Sequence, residues 1–161
     1  MRSILVREEV LPKATSIDVQ PRVFGEARMP FVSVTRLRLR SARYLIPFMI
    51  YALMSSRQAR RSRGNLGVKL LRDANQTFWT LTAWQKDEDM RFFMMAGPHR
   101  RAMPKLVDWC DEASVAHWTQ DASELPSWEQ AHRRLVEHGR PSKVRFPSSD
   151  QVAQRIPEPR S

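Results

Sequence analysis

From Phe31 to Leu39 the chain alternates. Phe31, Ser33, Thr35, Leu37 and Leu39 fall on one side of an extended segment, and Val32, Val34, Arg36, Arg38 and then Arg40 on the other. A period of two predicts a strand, and the arginines predict that its second face becomes exposed toward the end. The period then turns helical. Ser41 offers an N-cap, and the apolar run through Met54 to about Arg61 predicts a helix bent or delayed at Pro47. Gly64-Asn65-Leu66-Gly67 supplies turn residues that end it, and Val68 to Arg72 reads as a short strand. Asp73 to Gln76 connects it, hairpin-fashion, to a strand over Thr77 to Trp84 that carries Phe78, Trp79 and Trp84.

Asp87-Glu88-Asp89 places acids on the first turn of the next helix, where they complement its dipole, with Met90, Phe93 and Met94 as the inward stripe. Gly97-Pro98 interrupts it. A second helical piece over His99 to Cys110 has Met103, Leu106, Val107 and Cys110 at helical spacing, and Ala113 to Trp118 is a further strand. Pro126 to His138 predicts an amphipathic C-terminal helix with Trp128, Ala131 and Leu135 inward, ended by Gly139. The chain thus divides into an N-terminal extension over 1–28 with room for one short strand, a domain over 29–120, a helical segment over 121–139, and a tail over 140–161. Pro141, Pro147, Pro157 and Pro159, with few apolar residues between them, predict that the tail is flexible.

A strand-helix-strand unit used twice gives an α+β fold, a ferredoxin-like antiparallel sheet with helices on one face. The other face is left uncovered although the strands are apolar on both sides. A second copy of the chain is the simplest cover, so a homodimer is expected.

Charge and cysteine content narrow the class. The formal charge of +10 is concentrated, since Arg36 to Arg72 holds ten basic residues and no Asp or Glu. Such a patch suits a solvated basic face, an anionic lipid or an anionic substrate; a nucleic-acid partner is not expected. The single cysteine, Cys110, excludes an intramolecular disulfide framework and agrees with a cytoplasmic location. Met1 to Glu9 lacks the apolar core of a secretory signal. The run from Tyr44 to Met54 is about half of the ~20 residues a transmembrane helix needs, so no membrane span is expected.

The aromatic strand Thr77 to Trp84, the acidic helix start and Gly97-Pro98-His99-Arg100-Arg101-Ala102-Met103 resemble the dimeric α/β barrel superfamily. The Arg-rich first helix followed by Gly64-Asn65-Leu66-Gly67 is similar to its antibiotic biosynthesis monooxygenase-like and spheroidene monooxygenase-like branches. The resemblance covers about residues 31–118. It implies a homodimer whose two sheets form a barrel, with a pocket between sheet and helices. It also implies one of three roles: cofactor-free oxidation of aromatic molecules, haem binding or degradation, or no reaction at all. In the haem-degrading branch a Trp and a His stand where this chain has Phe93 and Met103, so that motif is missing.

Within this frame His99 is the catalytic candidate, an imidazole just after Gly-Pro that offers a proton shuttle or a haem ligand, weighed against a helix-start histidine bonded locally. Trp79, Trp84, Phe93 and Met103 are candidates for the wall of an apolar substrate site, and Tyr44 and Asn65 for hydrogen-bond donors to a bound carbonyl; packing in the core is the competing account of the aromatics. Arg100 and Arg101 offer an anion site or simply a solvated helix face. His117 reads as a core or interface histidine. No close carboxylate-histidine spacing points to a metal, and no Gly-rich loop to a nucleotide. The expected function is therefore a monooxygenase-type oxidoreductase for a hydrophobic or aromatic small molecule, with no cofactor or with haem. The alternatives are a non-catalytic ligand-binding barrel and a haem-binding spheroidene monooxygenase-like protein.

Overall fold

The computed structural model describes residues 16–17, 29–122 and 124–160. Its strands are β1 (Ser16–Ile17), β2 (Phe31–Leu39), β3 (Asn65–Asp73), β4 (Thr77–Trp84), β5 (Cys110–Thr119) and β6 (Arg140–Pro141). They form one antiparallel sheet in the order β1-β3-β4-β2-β5-β6. The helices are α1 (Leu45–Arg61), preceded by a 3-10 turn at Ala42–Tyr44, then α2 (Asp87–Met94), α3 (Gly97–Trp109), α4 (Trp128–His138) and the short α5 (Ser149–Val152). The central order β3-β4-β2-β5 is the ferredoxin-like arrangement expected from the two strand-helix-strand units.

Local chemistry sets the helix boundaries. The α-helix begins at Leu45, after a 3-10 turn over Ala42–Tyr44, so Pro47 lies in its first turn, where backbone N–H groups have no intrahelical acceptor. Ser41 makes no side-chain cap bond. Asn65 and Gly67 belong to β3 rather than to the turn, with a register shift between them. Arg63 and Gly64 make the reversal, Gly64 at φ +73°, and a side chain at Gly64 would require the Asp89 side chain to move. Ser127 caps α4 through a reciprocal bond with Gln130.

The alternation of each strand sorts its side chains between two cores. On one face, α1, α2 and α3 cover Val68, Phe78, Trp84 and Leu39, with Phe48, Ala59, Met90 and Phe93 of the helices among them. On the opposite face Val32, Val34, Leu71, Trp79, Leu81, Ala83 and Ala116 form a single cluster with Ala131 and Leu135 of α4, joined by Leu125, Trp128 and Ile156. The extra C-terminal helix therefore lies across the face that sequence reasoning left for a second copy. Val32, Val34 and Leu81 are 0% exposed within one chain.

Two expectations for this face are corrected. Arg36 does not emerge into solvent: it is 5% exposed, and its Nη1 donates to Glu112 Oε2 at 2.6 Å. Arg38 also reaches Glu112, at 2.8 Å, and holds Asp111 with two parallel bonds of 2.9 and 2.8 Å. The tail over 140–160 is not free. Arg140 and Pro141 pair with Val115 and Ser114, the Gln151 side chain bonds both backbone groups of Ala113, and Ser148 Oγ donates to Glu112. Counting apolar residues missed this, because the tail is held by hydrogen bonds to the edge of β5. The extension over 1–28 lies outside the described residues except for Ser16–Ile17, which pairs with Leu71 and Leu70, and Met29 and Pro30, which follow it.

Leu135→Ala is expected to lower the unfolding free energy by about 2–5 kcal/mol. Urea titration should show the midpoint falling with an unchanged slope, because Leu135 fills the core between α4 and the sheet.

Candidate functional site

The helix-covered face of the sheet opens at one end in a groove of about 490 Å³ lined by Met29, Phe31, Gln85, Lys86, Asp87, Glu88 and Thr119. Register builds it. Phe31, the first residue of β2, stands opposite Trp84 of β4 on one side and Thr119 of β5 on the other. The β4–α2 connection then brings Lys86 and the acids Asp87 and Glu88 to the rim. Met29 at the rim has φ 62°, an uncommon value for a residue with a side chain.

Behind Phe31 lies an imidazole that sequence reasoning had set aside. The His117 ring is 5.6 Å from that of Phe31, and His117 pairs across β2 with Ser33. Its Nε2 is buried without a hydrogen-bond partner among the described residues. Burial pushes its pKa below 6.5, and the positive charges of Arg140 and Arg91 push the same way. His117 is therefore neutral at pH 7.

On the other side of Phe31 the rings of Trp84, Phe93 and His99 follow one another, Trp84 and Phe93 stacked with centroids 5.1 Å apart and Phe93 and His99 tilted with centroids 4.6 Å apart. Three of the residues singled out from sequence thus come together beside the groove, although none of the three lines it. The Trp84 Nε1–H is taken by Thr82 Oγ1 at 2.9 Å. His99 sits in the first turn of α3, its backbone N–H donating to Gln58 Oε1 and its Nδ1 3.4 Å from the carbonyl of Met94. Desolvation lowers its pKa, and the contact with the Met94 carbonyl offsets part of that.

The remaining candidates lie elsewhere. Trp79 is on the opposite face of the sheet, 1% exposed, its Nε1 donating to Asp73. The Tyr44 hydroxyl accepts from Arg40 and Arg43, and Tyr44, in the 3-10 turn before α1, does not line the groove. The Asn65 amide reaches only the carbonyl of Ala83, at 3.5 Å. Met103, Arg100 and Arg101 are exposed on α3. Cys110 is no nucleophile, since desolvation, reinforced by Asp111, pushes its thiol up to about 12.

Among the described residues no group of three or more His, Cys, Asp or Glu has the arrangement of a metal site. The His99 ring lies against Phe93 and off the groove. The signal for His117 was present in the sequence as an alternating strand residue, but its relation to Phe31 exists only through the pairing of β2 with β5.

With this geometry in place, the chain shares its ferredoxin-like α+β fold with solved structures that carry the name antibiotic biosynthesis monooxygenase. More narrowly, the DUF3291 family, described as a domain of unknown function, matches residues 54–155, and the chain belongs to it. No curated protein matches the chain. Among solved structures, a Nitrosomonas europaea protein that carries the provisional name antibiotic biosynthesis monooxygenase superposes with a TM-score of 0.51 at 16% identity, over 56% of this chain and 89% of its own. A Pseudomonas aeruginosa protein superposes with a TM-score of 0.52 at 12% identity, over 61% of this chain and 100% of its own. A Fusobacterium nucleatum protein, provisionally named a monooxygenase, gives 0.51 at 10% identity, over 81% of this chain and 52% of its own. Identities this low establish the shared fold only.

The two depressed histidines set a pH dependence. Between their folded values and 6.5 the unfolded chain binds more protons than the folded one, so stability rises with pH through that window. Their contribution is complete above 6.5 and is lost as pH falls from 6.5 through the folded values. Urea unfolding at a series of pH values should show this slope, and His117→Gln should flatten part of it.

Proposed function

We propose that the chain is a monooxygenase-type oxidoreductase acting on a hydrophobic or aromatic small molecule, which approaches through the groove at Phe31 and meets His117 behind it. The observation that carries this reading is the buried, unpartnered Nε2 of His117 beside the groove wall. A neutral imidazole there accepts a proton from an activated C–H or a phenolic O–H of the substrate. The carbanion or phenolate so formed is electron-rich enough to react with O2, and the substrate supplies the electrons. At a methylene between aromatic rings, one oxygen atom becomes the product carbonyl and the other leaves as water. This route needs no cofactor. His99, also held neutral, is the second imidazole of the site, behind Phe93. The monooxygenase names of the structural neighbours support the reading. A cytoplasmic location belongs to it as well, in keeping with the single cysteine.

Binding without catalysis is the second reading, and one observation favours it. The Trp84 indole N–H is already engaged by Thr82 and the Tyr44 hydroxyl by two arginines, so neither is committed to a substrate oxygen. The homodimer that the resemblance implies would need the sheet face that α4 and Ile156 cover in the single chain.

Oxygen uptake with a panel of anthrones and hydroquinones distinguishes the two. The oxidoreductase reading predicts uptake matched by product, with kcat reduced about 10²-fold or more by His117→Gln and KM little changed. Saturable binding of these compounds with no oxygen uptake from any of them would reject it in favour of the binding protein.

A further inference from the structure

The outward side of the helix layer is apolar where a solvated surface would be polar. On α1, Ile46, Ile50, Leu53 and Met54 follow the i, i+4, i+7, i+8 pattern and are 74%, 53%, 54% and 42% exposed, while Phe48, Ser56 and Ala59 form the buried side. The adjoining α3 adds Met103, 42% exposed. The two helices are neighbours, tied by Gln58 to the backbone of His99 and by Lys105, whose Nζ lies 5.7 Å from the Tyr51 ring. Around the apolar stripe stand Arg57, Arg60 and Arg61 on α1 and Arg100 and Arg101 on α3, all exposed. Among the described residues no carboxylate lies within ion-pair distance of these five.

Three occupants compete for such a face, and charge chooses between them. A second copy would bring arginine against arginine, because residues 36–72 contain no Asp or Glu to answer them. A nucleic acid would satisfy the arginines and leave the isoleucines, leucine and methionine in water. A lipid surface bearing negative headgroups satisfies both sets, taking the apolar side chains to the acyl boundary while the guanidinium groups stay at headgroup depth. An exposed apolar stripe flanked by arginines is the pattern of a helix lying in the interface plane. We propose that the α1–α3 face docks on an anionic lipid surface through Ile46, Ile50, Leu53 and Met54, held by the surrounding arginines. The groove at Phe31 is not part of this surface, and the proposal stands apart from the oxidoreductase reading.

Flotation of the full chain with phosphatidylcholine vesicles, with and without phosphatidylglycerol, tests it. The chain is expected to float with the mixed vesicles, to stay behind with phosphatidylcholine alone, and to be released by added salt. The double variant Ile50→Asp with Leu53→Asp should bind the mixed vesicles at least about tenfold more weakly. Its urea midpoint should stay unchanged, since both positions are exposed. Failure to bind the mixed vesicles overturns the proposal, as does a double variant that binds like the parent. Light scattering that shows a dimer abolished by the double variant assigns the face to a second copy instead. An oligonucleotide that displaces the vesicles and binds the double variant as tightly as the parent assigns the arginines to nucleic acid.

Discussion

A sheet that is apolar on both faces cannot leave either in water, and this chain meets that constraint by itself. Trp79, Leu81 and Ala83 project from β4 on one side and Phe78, Thr82 and Trp84 on the other, and each set is buried. The helices between the strands cover one face because each connection runs directly over it. The second face is closed by α4, whose Ala131 and Leu135 are 0% and 1% exposed, and by the segment beyond it. Burying a leucine of this kind contributes roughly 1.5–3 kcal/mol, and the whole face depends on that cover. The C-terminal segment thus covers, within one chain, the face for which a second copy was the expected cover.

The charged cluster under that segment fixes where it lies. Glu112 accepts from Arg36, Arg38 and Ser148, and Arg36 also sits 5.7 Å from the Trp79 ring. A buried pair adds little net stability, yet breaking one costs about 3–5 kcal/mol because it strands a charge. Its effect here is therefore positional. The residue that pairs with Arg36 is the same one that receives the hydroxyl capping α5, so the end of the chain is registered on the ion pair.

Element order was readable from the sequence because periodicity is local. The bounds of β2 follow directly from its alternation and those of β4 from its aromatic run, and the acids from Asp87 mark where α2 begins; the helix read from His99 to Cys110 runs instead from Gly97 to Trp109, and Cys110 opens β5. What depended on long-range pairing was not readable. Arg36 looked like a residue at a fraying strand end because Glu112, 76 positions away, is its partner. The tail looked disordered because Gln151 and Ser148 contribute hydrogen bonds rather than apolar area. The site shows the same division. Trp84, Phe93 and His99 were identified from their own segments and do assemble, whereas Trp79 belongs to the other core by a single step of strand alternation. His117 acquires its place beside Phe31 only once β5 is aligned on β2.

The central claim is that one chain closes both faces of its sheet, and amide hydrogen exchange across α4 tests it most directly. If Ala131 to Leu135 are part of the core, their amides exchange only through global unfolding, at the same free energy as those of Val34 and Leu81. Rapid exchange throughout α4 while β2 and β4 stay protected would contradict the claim and leave that face to another partner.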